Sequence, residues 1–118
     1  MQKPLPGTPA YFVQVVIHEA IDTLRYINGR LHEDQIFIQA DIRSGRTVGQ
    51  KQRLMRHIVN DVSQIANVAA HHIWVYPNEL NAENMLEFGE ILPEAGKEDE
   101  WQNALDESTQ SCINNWAI

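Results

Sequence analysis

The sequence is poor in cysteine, in basic residues and in long apolar runs. Only one of its 118 residues is cysteine, which excludes an internal disulfide and fits reducing surroundings. Its 9 Lys and Arg against 16 Asp and Glu give a formal net charge of −7, which argues against binding to nucleic acid or to anionic membrane surfaces. No run reaches the length of a transmembrane helix, and the N-terminal residues lack the apolar core of a signal peptide. We therefore expect a cytoplasmic protein that binds neither nucleic acid nor a membrane.

Motifs for several common kinds of site are also missing. The chain has no Gly-rich phosphate loop and no serine elbow, so nucleotide binding and Ser-His-Asp chemistry are not supported. His71 and His72 are adjacent, but consecutive strand residues point to opposite faces, so this pair is not expected to share an ion. The other histidines are scattered along the chain. We expect no metal and no cofactor.

The length predicts a single domain over residues 1–118. Three prolines and a glycine predict an irregular arm at residues 1–9, because proline lacks the N–H that a helix or strand interior needs. Residues from about 102 to 118 are expected to form a polar C-terminal tail, and Trp101, Leu105 and Ile113 could support a helix over Trp101–Ile118. Between these ends, the chain carries the signals of a mixed α and β domain.

Three segments have the composition of strands. Tyr11–His18 is rich in Val and aromatic residues, and Ile36–Arg43 alternates apolar and polar residues after a β-branched start. His72–Tyr76 is a third apolar run, and Pro77 is expected to end it. Residues 20–33 contain the turn signal Asn28-Gly29 and are predicted to be a loop or a hairpin.

A long helix is predicted between the second and third of these strands. Thr47 and Gln50 form a capping box, and Leu54 and Ile58 begin an apolar stripe with helical spacing that continues to about Asn67. A helix of this length can cross over a sheet, so its flanking strands are predicted to be parallel neighbours in a right-handed β-α-β unit. The fold class is therefore α/β or α+β with one sheet, followed by a short helical or loop segment at residues 82–88.

Arg43 and Arg46 flank the junction between the second strand and the helix. Two guanidinium groups and the positive end of a helix dipole then face one small volume, which suits a carboxylate. The alternative is that both arginines are solvated or paired with surface acids, which this acidic chain has in excess. A small acid is the first ligand to test.

Three stretches carry a family resemblance, namely IFIQADIRSGRTVGQKQRL, HIWVYPNEL and MLEFGEILPEAGKEDEW. Together they resemble the tautomerase superfamily, in its cis-3-chloroacrylic acid dehalogenase-like branch, over about residues 9–105. The resemblance implies a β-α-β fold with a mixed sheet backed by helices, and assembly as a homotrimer. It also implies that Arg43 and Arg46 bind the carboxylate of a small unsaturated acid, while Tyr76 and Glu87 position and activate a water molecule.

The same family uses an amino-terminal proline as its acid or base. That proline stands on a first strand, followed by a first helix, and the printed sequence begins just ahead of the strand that would come next. We therefore expect this strand, helix and proline to be absent. Without the resemblance, Tyr76 would be interpreted as a half-buried aromatic residue and Glu87 as the exposed side of a short helix.

Two functional hypotheses follow from these residues. In the first, the chain acts on a small unsaturated carboxylic acid by tautomerisation, or by hydration or dehalogenation with activated water. In the second, it is a non-catalytic, oligomeric protein that binds small carboxylates. Retention of the arginine pair with Tyr76 and Glu87 favours a surviving pocket, whereas the expected absence of the proline weighs against catalysis.

Overall fold

Three pairs of strands and three α-helices make up the regular structure of the described part of the chain. The computed structural model describes residues 10–19 and 23–116. In chain order the elements are a 3-10 helix (Ala10–Phe12), β1 (Tyr26–Ile27), β2 (Arg30–Leu31), β3 (Ile36–Arg43), α1 (Val48–Ala66), a 3-10 helix (Ala70–His72), β4 (Ile73–Leu80), a 3-10 helix (Ala82–Asn84), β5 (Leu86–Glu87), β6 (Glu90–Ile91), α2 (Glu98–Ala104) and α3 (Glu107–Trp116).

The centre of the fold is the unit β3-α1-β4. The two strands pair in parallel, from Ile36 opposite Ile73 to Arg43 opposite Leu80. Helix α1 connects them, which confirms the predicted β-α-β unit and its α+β class. This arrangement places the carboxyl end of β3 next to the start of the helix, so that Arg43 lies at the predicted junction.

Both ends of α1 follow from local sequence. Thr47 Oγ1 accepts a hydrogen bond from Gln50 N at 3.1 Å, and Gln50 Oε1 accepts one from Thr47 N at 2.9 Å, so the predicted capping box is confirmed. At the other end, Asn67 has a φ of 54° and its N–H donates to the Ser63 carbonyl. Asn tolerates this left-handed conformation better than most residues do, which explains why the helix ends here.

The two faces of the β3-β4 pair differ in burial. On α1, Leu54 and Ile58 are buried, as is Ile73 on β4, and the even-numbered residues of β3 are partly covered. On the opposite face Phe37, Trp74 and Tyr76 are exposed, while Arg43 at the strand end is buried. Residues two apart share a face, so Arg43 belongs to the face turned away from the helix.

The remaining strands form two small antiparallel hairpins. Asn28 and Gly29 have φ values of 52° and 74° and connect β1 to β2, which confirms a hairpin within residues 20–33. Phe88 and Gly89, with φ values of 56° and 80°, connect β5 to β6 in the same way. The described strands are therefore distributed over three two-stranded sheets rather than one mixed sheet. Residues 82–88, predicted to be a short helix or a loop, contain a 3-10 turn and the first strand of the second hairpin.

Two strand predictions need correction. The prediction of a strand at Tyr11–His18 is wrong, because a 3-10 helix ends at Phe12 and residues 13–19 have no regular structure. A β-branched run becomes a strand only beside another strand, and none of the described strands pairs with this segment. The prediction that Pro77 ends the next strand is also wrong, since β4 continues to Leu80. In a two-stranded sheet every strand has an outer edge, where proline removes no ladder hydrogen bond.

The C-terminal region contains the helices α2 and α3, in agreement with the helix that Trp101, Leu105 and Ile113 could support. Leu105 lies between α2 and α3 and is 7% exposed, and Ile113 on α3 is 3% exposed. Asp106 separates the helices, since its Oδ1 accepts a hydrogen bond from Thr109 N at 2.7 Å.

The predicted arm at residues 1–9 lies outside the described residues. None of the helices in the described ranges is long and apolar enough to cross a membrane.

Candidate functional site

Arg43 is held firmly at the carboxyl end of β3. Its side chain is buried, its Nη2 donates to Glu98 Oε1 at 2.7 Å, and its Nη1 donates to the Pro93 carbonyl at 2.8 Å. The Phe12 ring covers the guanidinium, with 5.1 Å between Cζ and the ring centroid. Arg43 therefore binds a carboxylate, as the sequence predicted for an external ligand, but this carboxylate belongs to the chain itself.

Glu98 is the partner that sequence reasoning missed. It begins α2, is only 4% exposed, and its Oε2 accepts a hydrogen bond from Gly96 N at 2.9 Å. Burial acts to raise the pKa of this carboxyl, but the hydrogen bonds from Arg43 and from nearby backbone N–H groups outweigh it and lower the pKa below its ordinary value. Glu98 is consequently an ionised, buried carboxylate at neutral pH.

Arg46 lies three residues beyond Arg43, at the entry to α1, and is half-buried. Burial lowers the pKa of its guanidinium, the positive charge of Arg43 lowers it further, and Glu98 acts in the opposite direction. These influences mean that Arg46 is within electrostatic reach of both members of the Arg43–Glu98 pair. A shared carboxylate site at the two arginines stays a prediction.

Glu87 joins the same region from β5. It is half-buried and lies on a strand, not on the exposed side of a helix. Burial raises the pKa of its carboxyl, and the charge of Arg43 partly opposes this rise. A carboxyl with a raised pKa is a stronger base when ionised, which suits proton transfer from water.

Aromatic side chains pack beside this cluster. Tyr11 and Phe12 have ring centroids 4.7 Å apart, Phe12 is 5.3 Å from Trp101, and Tyr11 is 5.8 Å from Phe88. Burial and the charges of nearby acidic residues raise the pKa of Tyr11, so its hydroxyl stays protonated. The aromatic rings exclude water from one side of the charged groups and strengthen their mutual interactions.

Tyr76 lies apart from the charged cluster within one chain. In the strand register Tyr76 is opposite Gln39. Arg43 is opposite Leu80, which lies four residues after Tyr76 on β4. At about 3.3 Å per residue, this places the Tyr76 backbone about 13 Å along the strands from the arginine. Its ring packs edge-on against Phe37 at 5.0 Å and is 54% exposed. Arg46 and Glu87 are therefore within electrostatic reach of Arg43, whereas Tyr76 of the same chain lies farther along the strands.

The adjacent histidines lie in a different setting from the one predicted. His71 and His72 end a 3-10 helix instead of standing on a strand, and their rings are 4.3 Å apart. His72 Nδ1 is 2.6 Å from Gln35 Nε2 and 3.3 Å from Asp34 Oδ2. Within the part of the chain that the structure describes, no group of three or more His, Cys, Asp or Glu could hold a metal ion.

Comparison with known proteins identifies the family. A family model described as "Tautomerase enzyme" matches residues 11–85, which is more than half of the chain. The fold matches the crystal structure of N1, a member of the cis-3-chloroacrylic acid dehalogenase family, with a TM-score of 0.85 and 39% sequence identity, covering 92% of this chain and 76% of that one.

Two further structures match over part of the chain. N2, a member of the 4-oxalocrotonate tautomerase family, is 34% identical with a TM-score of 0.48, covering 49% of this chain and 91% of its own. A trans-3-chloroacrylic acid dehalogenase inactivated by 3-bromopropiolate is 32% identical with a TM-score of 0.46, covering 48% and 93% respectively. Among curated proteins, none matches the sequence. From the family model and the structural match to N1, the chain belongs to the tautomerase superfamily, in its cis-3-chloroacrylic acid dehalogenase-like branch.

Proposed function

We propose that the chain binds a small unsaturated carboxylic acid at the cluster of Arg43, Arg46 and Glu87 and activates water for addition to it. The observation that carries this proposal is a buried arginine, Arg43, at the end of β3, with the half-buried side chains of Arg46 and Glu87 within reach of its charge. Guanidinium groups bind carboxylates through paired, charge-assisted hydrogen bonds. The structural relative N1 is a member of the cis-3-chloroacrylic acid dehalogenase family, and the name of that family supports an acid of this class.

The chemistry follows from the charges. Arginine contacts withdraw electrons from the carboxylate and from its conjugated double bond, and they stabilise the negative charge that develops when hydroxide adds to the distal carbon. Ionised Glu87 accepts the proton from the attacking water. The carbon next to the carboxylate must then be protonated, a step that the family resemblance assigns to an amino-terminal proline and that solvent water supplies where no such proline is present. With 3-chloroacrylate, the distal carbon then carries both hydroxyl and chlorine, and it expels chloride as the hydroxyl proton passes to water. Binding and turnover are therefore separate properties of this chain, and each needs its own test.

The binding test is the substitution Arg46→Ala, followed by calorimetry with acrylate. Loss of one charged partner of a carboxylate typically costs about 2 kcal/mol or more, which corresponds to an affinity at least about thirtyfold lower. Arg56→Ala is the matched control, because Arg56 is an exposed arginine on α1. Equal affinities in both variants would contradict a carboxylate site at this junction.

The turnover test uses cis-3-chloroacrylate, with product followed by NMR. We expect wild-type protein to release chloride, and Glu87→Gln to bind the acid with little change while losing turnover, because an amide cannot accept the proton. Binding without turnover in the wild type would contradict the enzymatic part of the proposal. That result would support the second hypothesis, a non-catalytic carboxylate-binding protein.

We further propose that the chain assembles as a homotrimer in the cytoplasm. Exposed Phe37, Trp74 and Tyr76 on one face of the β3-β4 pair support assembly, since large apolar side chains grouped on a surface often mark contacts between chains. A neighbouring copy also offers a way to bring Tyr76 near the charged cluster. The acidic charge and the lone cysteine support the cytoplasmic location.

A further inference from the structure

The outer edge of β3 presents backbone groups that β4 does not use. Along a parallel pair, the N–H and C=O groups of successive residues point alternately toward the partner strand and away from it. Ser44 N donates to the Leu80 carbonyl at 2.7 Å, so Leu80 points toward β3, and Pro77 points away. The strand register then gives the residues of β3 that point away from β4, among them Phe37, Gln39 and Asp41. Among the described residues, no other strand pairs with this edge.

The two outer edges of the pair differ. Pro77 has no N–H, so the outer edge of β4 lacks a donor in the middle of the strand, and proline on an edge discourages further pairing. Strand β3 contains no proline, and its row of outward donors and acceptors is complete. An added strand would therefore find its hydrogen-bonding partners on β3.

Residues 13–17 have the complementary property, because they are suited to a strand but belong to none. Their sequence VQVVI contains no charge, no proline and no glycine, and its β-branched side chains favour the pleated surface of a sheet. Val15, Val16 and Ile17 are nevertheless 62%, 65% and 83% exposed. A run of this composition that stays exposed is typical of a segment that pairs with another chain.

We propose that residues 13–17 of one copy pair with the outer edge of β3 in a second copy and add a third strand to its sheet. The main-chain groups of the edge would supply the hydrogen bonds, as in other cases of strand addition. The donor is a second copy because, within one chain, Phe12 is held over Arg43 at the end of β3 and the residues that follow still do not pair with that strand. The inference rests on the proposed homotrimer, since a donation from each copy to the next can close into a ring of three.

The first test places a proline on each outer edge in turn and measures the mass of the assembly by sedimentation. Gln39→Pro removes an outward N–H of β3, and Glu79→Pro removes one of β4, so neither change breaks the pairing of the two strands within a chain. We expect the wild type and Glu79→Pro to sediment as trimers and Gln39→Pro to lose the trimer at the same concentration. A trimer that withstands Gln39→Pro would overturn the proposal.

A second measurement decides even if Gln39→Pro fails to fold. Wild-type protein labelled with nitrogen-15 is refolded together with an unlabelled chain that carries Cys112→Ser and a nitroxide attached through Gln14→Cys. We expect the nitroxide to broaden the amide signals of the nitrogen-15 chain at Phe37, Gln39 and Asp41. Reduction of the nitroxide with ascorbate is the control and should restore these signals.

The outcomes separate this inference from the proposals on which it rests. A wild-type trimer without broadening at β3 would overturn the strand addition and leave the assembly intact, whereas a monomeric wild type would overturn both. Broadening that occurs only when the nitroxide is on the same chain as the nitrogen-15 would show that residues 13–17 fold back on their own β3, which also contradicts the proposal. Binding of acrylate is measured separately, so a failure of the carboxylate site is distinguishable from each of these results.

Discussion

Glu87 and Glu98 have the same side chain and are shifted in opposite directions. Burial dominates at Glu87 and raises its pKa, whereas at Glu98 hydrogen bonds from Arg43 and the backbone overcome burial and lower the pKa. The difference separates their roles: Glu87 can exchange a proton near neutral pH more readily than an ordinary glutamate, while Glu98 stays ionised. One carboxyl therefore suits proton transfer and the other suits charge balance.

The Glu98 shift makes a prediction about stability against pH. Because its folded pKa lies below the ordinary value of 4.5, the ionised form stabilises the fold above that value, and this contribution is lost as the pH falls through the folded pKa. Glu98→Gln should cost about 3–5 kcal/mol at neutral pH, since it breaks a buried pair. The difference in the free energy of unfolding between the wild type and Glu98→Gln should become smaller in acid.

Urea unfolding at neutral pH and at a pH well below 4.5 measures this gap. Glu100→Gln provides the control, and its difference from the wild type should be small at both pH values. A gap for Glu98→Gln that is the same in acid as at neutral pH would show that the charge of Glu98 does not contribute to stability.

The sequence could predict candidate site residues such as Arg43, but not Glu98, the carboxylate of the same chain that pairs with Arg43. Arg43 and Arg46 were found from their spacing around a strand-to-helix junction, and Glu87 from the family resemblance. Glu98 lies in the acidic stretch at residues 94–100, and the acidic side chains of such a stretch are usually solvated, so the sequence does not distinguish it from its neighbours. Only the docking of α2 against the end of β3, 55 residues earlier in the chain, makes this one acid different from its neighbours.

At the scale of elements, predictions succeeded where the signal was local. The capping box at Thr47, the turn at Asn28-Gly29 and the period of the α1 stripe each depend on residues within one turn or one hairpin. The strand prediction at Tyr11–His18 failed because a strand depends on a partner that sequence composition cannot supply. The hairpin at Phe88-Gly89 was missed because a non-Gly residue with positive φ is uncommon.

The capping box of α1 leads to a prediction about the stability of the fold. Thr47→Ala removes the side-chain acceptor for Gln50 N and should lower the free energy of unfolding by about 1 kcal/mol. Helix α1 connects β3 to β4, and Arg46 lies just before its first turn. Fraying of that turn should therefore also make the backbone at Arg46 more mobile. Urea unfolding monitored by circular dichroism measures the loss, with Ser111→Ala at an exposed position of α3 as the control. Equal stabilities of the two variants would contradict a stabilising cap.

For the whole molecule, the position of Tyr76 connects the proposed assembly to the proposed chemistry. Its ring is on an exposed sheet face, away from Glu87 and the arginines of the same chain. If Tyr76 positions water in a trimer, it must do so in the site of a neighbouring copy. Symmetry would then give each of the three sites one tyrosine from a neighbour.

Mixing two inactive variants tests this arrangement. Tyr76→Phe and Glu87→Gln should each have low turnover of cis-3-chloroacrylate as pure assemblies. Refolding them together at equal amounts should restore up to about a quarter of wild-type turnover, since about a quarter of the sites then receive both intact residues. No recovery in mixed assemblies of confirmed trimer mass would contradict a site shared between copies.

The parallel pair β3-β4 also has a consequence for exchange of amide hydrogens with solvent. Each strand has a neighbour on one side only among the described residues, and along a strand successive N–H groups point alternately toward that neighbour and away from it. In a lone chain, deuterium uptake is therefore slow at every second residue of each strand and fast at the residues between. Pairing of an outer edge with another copy would slow the fast set as well, so the alternation distinguishes an isolated chain from one whose sheet continues into a neighbour.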